Sequence, residues 1–287
     1  MDEFLNKHGW GQATRAGMTP DWSPRQYWRL AKNGGETAIL LKGPEPELAG
    51  HGLAEFVDMA GVLRKAGLSA PTVYAQDLPH KLLLIEDFGD TPIDTPAIEA
   101  EAYAAAVDVL AKYRTIKADV VTYKDGYIFK KLALFSDDPR WMDAWAEAEA
   151  ALPPAPQVFS HMDYKAGNLH WLPKRAGMAR IGILDFQAAQ IAPFTYDIVN
   201  LLEDARRNLD ADLKAQLKAR FKAALPPEWQ AIFDDWYVFM AAQFHARVLG
   251  QIRGNPRVAA DVAPRLEAYL ATELKHPALA PVSGFFG

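Results

Sequence analysis

Residues 161–187, HMDYKAGNLHWLPKRAGMARIGILDFQ, decide the fold because they surround a short apolar run with chemically demanding side chains. Asp163, Lys165 and Asn168 come before the run, and Asp185 ends it. A loop that only connects two elements favours Gly, Pro, Asn, Asp or Ser for turn geometry. A lysine, an amide and two carboxylates at these fixed offsets predict a site instead.

The spacing within this stretch is that of a kinase active site. Phosphoryl transfer needs a carboxylate near the attacking hydroxyl, oxygen ligands for Mg²⁺ and cations beside the phosphates. A loop carboxylate five residues before an Asn, followed by a strand that ends in a second Asp, supplies this set. We therefore predict that Asp163 accepts the substrate proton, that Asn168 and Asp185 bind the metal, and that Lys165 lies near the γ-phosphate of ATP. His161 is expected to brace the loop. The alternative is a polar hairpin with solvated charges, which the joint spacing disfavours.

The composition excludes several classes of function. The chain has 287 residues, a net charge of -5 and 50% hydrophobic residues, so it is a folding composition without the basic excess of a nucleic-acid-binding protein. It has no Cys, which rules out disulfides, thiolate catalysis and Cys-based zinc sites and fits a reducing compartment. The start of the chain has no apolar signal core, and no window has the length of a membrane span. We expect a cytoplasmic protein without a nucleic-acid or membrane partner; its oligomeric state is not predicted.

The two parts of the chain differ in pattern. Residues 1–88 read as a short helix, a hairpin (QYWRLA, NGGE, TAILLK), a helix from Glu47 to Ala66, and a second strand pair (PTVYAQ, KLLLIEDF). Beyond them helical patterns dominate to about residue 275. The predicted fold class is α+β and bilobal. Residues 1–88 form a small antiparallel-sheet, nucleotide-binding N-terminal lobe, and residues 89–287 form a larger helical C-terminal lobe with the catalytic loop and the acceptor site.

The motifs resemble those of a known family. Three motifs in order resemble the signature of the aminoglycoside phosphotransferase/choline kinase branch of the protein-kinase-like fold. They are H-x-D-x-x-x-x-N, then D-F-x-x-A, and then A-P-x-x-Y-D, which opens a helix within AQIAPFTYDIVNLLEDARR. Nearly the whole chain, including GLSAPTVYAQD, LLLIEDFGD and HPALAPV, is similar to bacterial sugar kinases of that branch. These enzymes phosphorylate the anomeric hydroxyl of N-acetylmuramate and N-acetylglucosamine in cell-wall recycling. The resemblance implies an ATP- and Mg²⁺-dependent phosphotransferase that acts on an alcohol group.

The resemblance also implies nucleotide-binding residues in the first 88 positions. Lys42 ends a strand, where such folds keep a lysine on the α- and β-phosphates, and Glu55 on the following helix could pair with it. The stretch TPDWSPRQY, residues 19–27, takes the place of the phosphate-covering loop, where Ser23 and Arg25 would contribute. For Lys42 and Glu55 the alternative is ordinary exposed charge.

The stretch LIEDF would form the hinge whose backbone reads adenine. Glu86 and Asp87 are its candidate residues, with simple surface charge as the alternative. Asp197, in FTYD, is expected to tie the start of its helix to the catalytic loop, because an Asp at a helix N-terminus already has a structural role. The chain departs from the family pattern at Ala188 and Phe244, which are expected near the acceptor.

Two other classes of protein are disfavoured. A protein kinase places a long peptide-docking segment between its Asp-Phe and its Pro-containing anchor, and here only a few residues separate Phe186 from Pro193. A catalytically inactive nucleotide-binding module would be expected to lose Asp163, Asn168 or Asp185, and all three are present.

Among small-molecule acceptors, an amino sugar fits best. A polycationic aminoglycoside needs an acidic pocket, but acidic and basic residues are nearly balanced from Glu228 onward. Choline would need an aromatic cage, and the candidate aromatics are expected in the helix core instead. They are Trp229, Trp236, Tyr237 and Phe239. An aminoglycoside or choline-type kinase remains the alternative.

Overall fold

The computed structural model describes residues 1–18, 24–46 and 52–286. The chain forms two compact units. The first consists of Met1–Ala105 and Ala166–Ala188, and the second of Ala106–Lys165 and Ala189–Gly287. This division places the hairpin of residues 166–188 with the first unit. The predicted functional boundary at residue 88 stays a prediction.

The secondary structure alternates between the two units along the chain. The strands of the described residues are β1 Thr14–Met18, β2 Gln26–Ala31, β3 Thr37–Lys42, β4 Val73–Asp77, β5 Leu82–Glu86, β6 Gln157–Ser160, β7 Leu169–Trp171, β8 Ile181–Ile183 and β9 Gln190–Pro193. The α-helices are α1 Asp2–Lys7, α2 Leu53–Lys65, α3 Glu99–Tyr113, α4 Tyr127–Lys130, α5 Trp141–Ala150, α6 Tyr196–Leu202, α7 Ala211–Ala223, α8 Pro227–Ile252, α9 Pro256–Glu273 and α10 Ala280–Ser283. The 3₁₀ helices are Lys131–Phe135, Ala166–Asn168, Gly177–Arg180 and Pro277–Leu279.

The first unit is built on a five-stranded antiparallel sheet in the order β1-β2-β3-β5-β4. Both predicted hairpins, β2–β3 and β4–β5, are confirmed. The edge strand β1 was missed because all five of its residues are exposed and Gly17 interrupts it, so it has no apolar alternation. The sheet packs with α1 around a shared apolar core of Phe4, Leu5, Trp10, Leu30, Ala38, Leu40, Ala75, Leu82 and Leu84.

Helix α2 follows its predicted pattern. The apolar stripe is buried as expected: Leu53, Phe56, Met59, Ala60 and Leu63. Gly67 ends the helix with a φ of +82°, a left-handed conformation that Gly adopts without strain. The predicted first turn of this helix, residues 47–51, lies outside the described residues.

The hairpin β7–β8 positions two predicted metal ligands. Leu169 pairs with Ile183, and just beyond this pair the amide of Leu184 donates to the carbonyl of Asn168 at 2.9 Å. Asn168 and Asp185 therefore lie at the same end of one hairpin. The amide of Ile183 also donates to the carbonyl of Ser69 at 2.7 Å, which fixes the hairpin to the segment after α2.

The second unit consists of helices around the antiparallel pair β6–β9. Helix α8 is buried on most sides, and α6, α9 and the 3₁₀ helix Lys131–Phe135 pack against it. The 3₁₀ helix comes so close that a Cβ at Gly250 would lie 2.6 Å from the backbone nitrogen of Phe135. The prediction that helices dominate to about residue 275 is confirmed, since α9 ends at Glu273. None of the helices in the described ranges has both the length and the apolar character that crossing a membrane requires.

Candidate active site

The loop after β6 is held by the buried carboxylate of Asp197. Its Oδ2 accepts the backbone N–H of His161 at 2.6 Å, and its Oδ1 accepts that of Met162 at 3.0 Å. Met162 has a φ of +74°, a strained conformation for a residue with a side chain. The two hydrogen bonds hold the loop in this shape. The tie predicted between Asp197 and the loop is confirmed.

Asp197 is itself electrostatically strained. Burial raises its pKa from 3.8 to about 7, although the two N–H donors oppose this shift. The negative charge of nearby Asp163 raises the pKa of Asp197 further. At neutral pH the loop is therefore anchored by a carboxyl group close to its titration midpoint.

The loop presents Asp163 next to a cation. The Asp163 carboxylate lies 2.8 Å from the Lys165 ammonium, and 39% of the Asp163 side chain is exposed. The Asp163 N–H also donates to Nδ1 of His161 at 3.2 Å, so the buried imidazole contacts the backbone of the loop. An accessible carboxylate with an ammonium beside it can accept a proton from a hydroxyl while a cation faces incoming negative charge.

Asp185 projects from the end of the β7–β8 hairpin in the first unit. Its φ of +59° is strained for a non-Gly residue, and 40% of its side chain is exposed. Oδ1 accepts a hydrogen bond from the amide of Gln187 at 2.8 Å and lies 3.7 Å from Nη1 of Arg25. With Asn168 at the same end of the hairpin, the site offers carboxylate and amide oxygens, the ligands that Mg²⁺ prefers.

Arg25 is buried against this carboxylate, with only 1% of its side chain exposed. Its Nη2 donates to the carbonyl of Gly52 at 3.4 Å, and its guanidinium lies 5.9 Å from the centre of the Phe56 ring. Phe56 in turn packs against Phe186. The guanidinium therefore connects the start of α2 to Asp185. Ser23, the other residue predicted in this loop, lies outside the described residues.

The ion pair that Lys42 and Glu55 could form, left open by the sequence, is not seen among the described residues. Both side chains are exposed, and in the part of the chain that the structure describes no ion pair joins them. Lys42 stands at the open end of β3, where solvent satisfies the charge, so pairing has little to gain. Their role toward a nucleotide stays a prediction.

Glu86 and Asp87 are not simple surface charges. Glu86 accepts hydrogen bonds from the Thr72 backbone and hydroxyl at 3.2 and 3.0 Å and pairs with Arg175. Asp87 is 6% exposed and lies 2.8 Å from Nε of Arg29. Both side chains fix the end of β5, so any contact of this segment with adenine falls to its backbone.

The aromatic residues considered for a choline cage belong to the core of the second unit. Trp236, Tyr237 and Phe239 are all at least 95% buried. The Trp236 indole donates to the carbonyl of Pro153 at 2.8 Å, and the Tyr237 hydroxyl donates to Glu203 at 2.6 Å. Their polar atoms are thus already satisfied, and the expectation of a core role is confirmed for these three.

A second group of acidic and imidazole side chains is a structural tie. His245 is fully buried, with Nδ1 3.0 Å from the Glu273 carboxylate and Nε2 3.2 Å from the backbone carbonyl of Glu203. The Glu203 carboxylate accepts from Tyr237 and pairs with Lys214. These atoms lie close enough to bind a metal, but each already has a protein partner. The group therefore joins α6, α7, α8 and α9.

The structure groups the predicted residues within each unit. The first unit brings Arg25 next to Asp185, and the second brings His161, Asp163 and Lys165 together through Asp197. The boundary between the units falls between Lys165 and Ala166, inside the motif itself. The hydrogen bond from the Gln187 side chain to Asp185 was not predicted from the sequence, although the position of Gln187 within DFQ was an available signal.

The chain is similar to known phosphotransferases. The model of the phosphotransferase enzyme family matches residues 16–232. A protein of Caulobacter vibrioides named N-acetylmuramate/N-acetylglucosamine kinase is 32% identical, over 99% of this chain and 94% of that protein. A protein of Pseudomonas aeruginosa with the same name is 29% identical, over 98% of this chain and 90% of that protein.

Solved structures share the fold. The amicoumacin kinase hAmiN, in complex with AMP-PNP and Ca²⁺, superposes with a TM-score of 0.65 at 14% identity, over 96% of this chain and 93% of that one. The GDP complex of aminoglycoside 2'-phosphotransferase-IIIa superposes with a TM-score of 0.65 at 12% identity, over 94% of this chain and 96% of that one. The predicted α+β, bilobal protein-kinase-like fold is confirmed.

Proposed function

Because this chain belongs to the phosphotransferase enzyme family, we propose that it is an ATP-dependent kinase that phosphorylates the anomeric hydroxyl of a free amino sugar, N-acetylmuramate or N-acetylglucosamine. The predicted enzyme class, a small-molecule phosphotransferase, is confirmed by the family match. The choice of an amino sugar as the acceptor is supported by the similarity of almost the whole chain to two proteins named as kinases of these sugars.

Asp163 is the proposed base. The anomeric oxygen attacks the γ-phosphorus of ATP, the bond from that phosphorus to the β–γ bridging oxygen breaks, and ADP leaves. The hydroxyl proton passes to the Asp163 carboxylate. An anomeric hydroxyl is more acidic than other sugar hydroxyls, so a carboxylate that takes the proton late in a loose transition state suffices. Lys165, 2.8 Å from that carboxylate, would face the negative charge of the transferred group.

The metal and the phosphates are proposed to bind beside the β7–β8 hairpin. Asn168 and Asp185 fit Mg²⁺, because they offer an amide and an exposed carboxylate oxygen at one end of the hairpin. Mg²⁺ would neutralise the β- and γ-phosphate oxygens. Buried Arg25 would hold Asp185 in place and add positive charge to this site.

The remaining nucleotide contacts are proposed on the family resemblance. Lys42, Glu55 and Ser23 would lie near the phosphates, and the backbone of Glu86 and Asp87 would contact adenine. Residues 1–88 would then act as the nucleotide-binding lobe and residues 89–287 as the lobe for catalysis and the acceptor. On the same basis we propose a cytoplasmic role in cell-wall recycling.

Product analysis tests the acceptor. The purified protein is incubated with Mg²⁺, ATP and one acceptor at a time: the two amino sugars, glucose, choline and an aminoglycoside. Phosphorus NMR of the product should show a phosphate signal coupled to an anomeric proton for at least one amino sugar. Phosphorylation of choline or the aminoglycoside, without turnover of either amino sugar, would contradict the proposal.

A further inference from the structure

We propose that Lys131 and Arg247 bind the carboxylate of an anionic acceptor, and that they make this kinase prefer N-acetylmuramate to N-acetylglucosamine. N-acetylmuramate carries a lactyl ether with a carboxylate at O3, where N-acetylglucosamine has a hydroxyl. The inference rests on the proposed function and adds to it the group that the acceptor site recognises.

Arg247 is a buried cation, and no acidic side chain of the described residues forms an ion pair with it. Its residue exposure is 9%, and its one hydrogen-bond partner among the described residues is neutral: Nη1 donates to Oε1 of Gln251 at 2.6 Å. Nε is buried and has no partner. The Phe244 ring lies 5.2 Å from the guanidinium carbon, which leaves the planar fork held on one side by an aromatic ring. A fork of this kind binds a carboxylate through two parallel hydrogen bonds.

Lys131 belongs to the segment that packs on the same helix. It begins the 3₁₀ helix Lys131–Phe135, which closes onto α8 at Gly250 and accepts a hydrogen bond from Arg253 at the carbonyl of Phe135. Its ammonium lies 4.9 Å from the centre of the Tyr127 ring and forms no ion pair within the described ranges of the chain. Burial lowers the pKa of Lys131, the positive charge of Arg247 lowers it further, and Asp163 opposes both.

Contacts within the second unit connect the three charged groups. The Tyr123 hydroxyl donates to Gln243, one turn before Arg247 on α8, and the Tyr123 ring lies 5.2 Å from that of Phe129, two residues before Lys131. The same ring lies 5.1 Å from that of Tyr196, whose neighbour Asp197 holds the loop of Asp163. Tyr196 supports the same placement: burial raises its pKa, while the charges of Arg247 and Asp163 act on it in opposite directions. The Tyr196 hydroxyl is buried without a partner, and so is the Oε1 atom of Gln190. Two buried polar atoms of the second unit thus lack partners among the described residues, as expected where a polar ligand completes them.

Two neighbouring cations repel each other and lose hydration on burial, and neither Lys131 nor Arg247 forms an ion pair within the described residues. Arrangements of this kind are typical of functional sites, where the ligand supplies the missing charge. The proposed metal ligands Asn168 and Asp185 belong to the first unit, whereas both cations belong to the unit of Asp163. Asp163 is the group that must meet the acceptor, so the acceptor is the favoured source of the anion.

The test measures kcat/KM of wild type, Arg247→Gln and Lys131→Gln for both sugars. We expect the ratio of N-acetylmuramate to N-acetylglucosamine to fall by about 10- to 100-fold in each variant, the range for losing a hydrogen bond to a charged group. Turnover of N-acetylglucosamine should stay within about threefold of wild type, since it has no carboxylate to lose. Arg247→Lys should restore part of the ratio. Lys130→Gln is the matched control, because Lys130 is an exposed neighbour for which the described residues offer no ion pair.

The substrate offers an independent test in wild type, which does not depend on how a variant folds. Converting the lactyl carboxylate to its methyl ester should reduce kcat/KM as much as Arg247→Gln does for the free acid. An unchanged ratio in both variants would overturn the inference. An equal loss for both sugars would also overturn it, because the cations would then serve the phosphoryl group. Failure of wild type to phosphorylate either sugar would instead refute the proposed function.

Discussion

Replacing Asp197 with Asn should raise the stability of the protein at high pH and at the same time lower its activity. Asn keeps the shape of the side chain but removes the charge. It can accept from only one of the two N–H groups, those of His161 and Met162, that the carboxylate accepts at 2.6 and 3.0 Å. Met162, with its φ of +74°, is then free to relax.

The expected size of the stability effect follows from the pKa. Burial raises the pKa of Asp197 to about 7 from 3.8, so the folded protein keeps this proton up to neutral pH while the unfolded chain loses it near pH 4. This group therefore makes the free energy of unfolding fall as the pH rises from about 4 to 7, with no further change above that. One pKa unit corresponds to ~1.4 kcal/mol, so the whole shift amounts to ~4 kcal/mol. The Asn variant has no carboxyl group at this position, so its free energy of unfolding lacks this pH-dependent loss.

Activity should move in the opposite direction. A misplacement of a reacting group by about 1 Å can reduce turnover by ~10²-fold. Once Met162 relaxes, Asp163 shifts, so we expect kcat to fall ~10- to 100-fold while the KM for ATP changes by less than about threefold.

The assay is urea unfolding of wild type and Asp197→Asn at pH 4.5 and pH 8, with steady-state kinetics at pH 8. The two proteins should be close in stability at pH 4.5, with the variant gaining up to ~4 kcal/mol relative to wild type at pH 8. Asp212→Asn, at an exposed residue of α7, is the matched control and should change neither quantity. A stability difference that does not change with pH, or full turnover by the variant, would refute the reasoning.

Three further outcomes are expected. Asp163→Asn should reduce kcat by ~10²–10⁴-fold with little change in ATP affinity, as measured by steady-state kinetics; near-normal turnover would make Asp163 structural. Asp185→Asn should abolish the thermal stabilisation that Mg-ATP gives wild type, and an identical response of both proteins would remove Asp185 from the metal site. Gly250→Ala should destabilise the protein by ~1–3 kcal/mol in urea unfolding, because the new Cβ would lie 2.6 Å from the backbone nitrogen of Phe135. The cost of this overpacking should exceed the ~1 kcal/mol that Ala gains over Gly in helix propensity. A more stable variant would show that the 3₁₀ helix can move away from α8.

The sequence by itself determined the elements whose pattern is local. The hairpin β2–β3 follows from two strand-like runs joined by Gly-rich turn residues, and α2 from its apolar stripe closed by Gly67. The motif from His161 to Asp185 predicted the chemistry, because phosphoryl transfer needs a loop carboxylate, an amide and a second carboxylate together. Asp197 was also predictable as a tie, since an acidic residue starts a helix directly after that motif.

Only the tertiary structure decided which of the other charges have partners. Lys42 is exposed and forms no ion pair with Glu55 in the described ranges, whereas Arg25 is buried against Asp185. Lys131 and Arg247 are far apart in the chain, and nothing in their local sequence distinguishes them from solvated cations. They are brought to neighbouring elements because the short 3₁₀ helix that begins at Lys131 packs on α8 at Gly250. Burial and the distance to another charge set the energy of an ionic group, and both come from contacts that are remote in sequence.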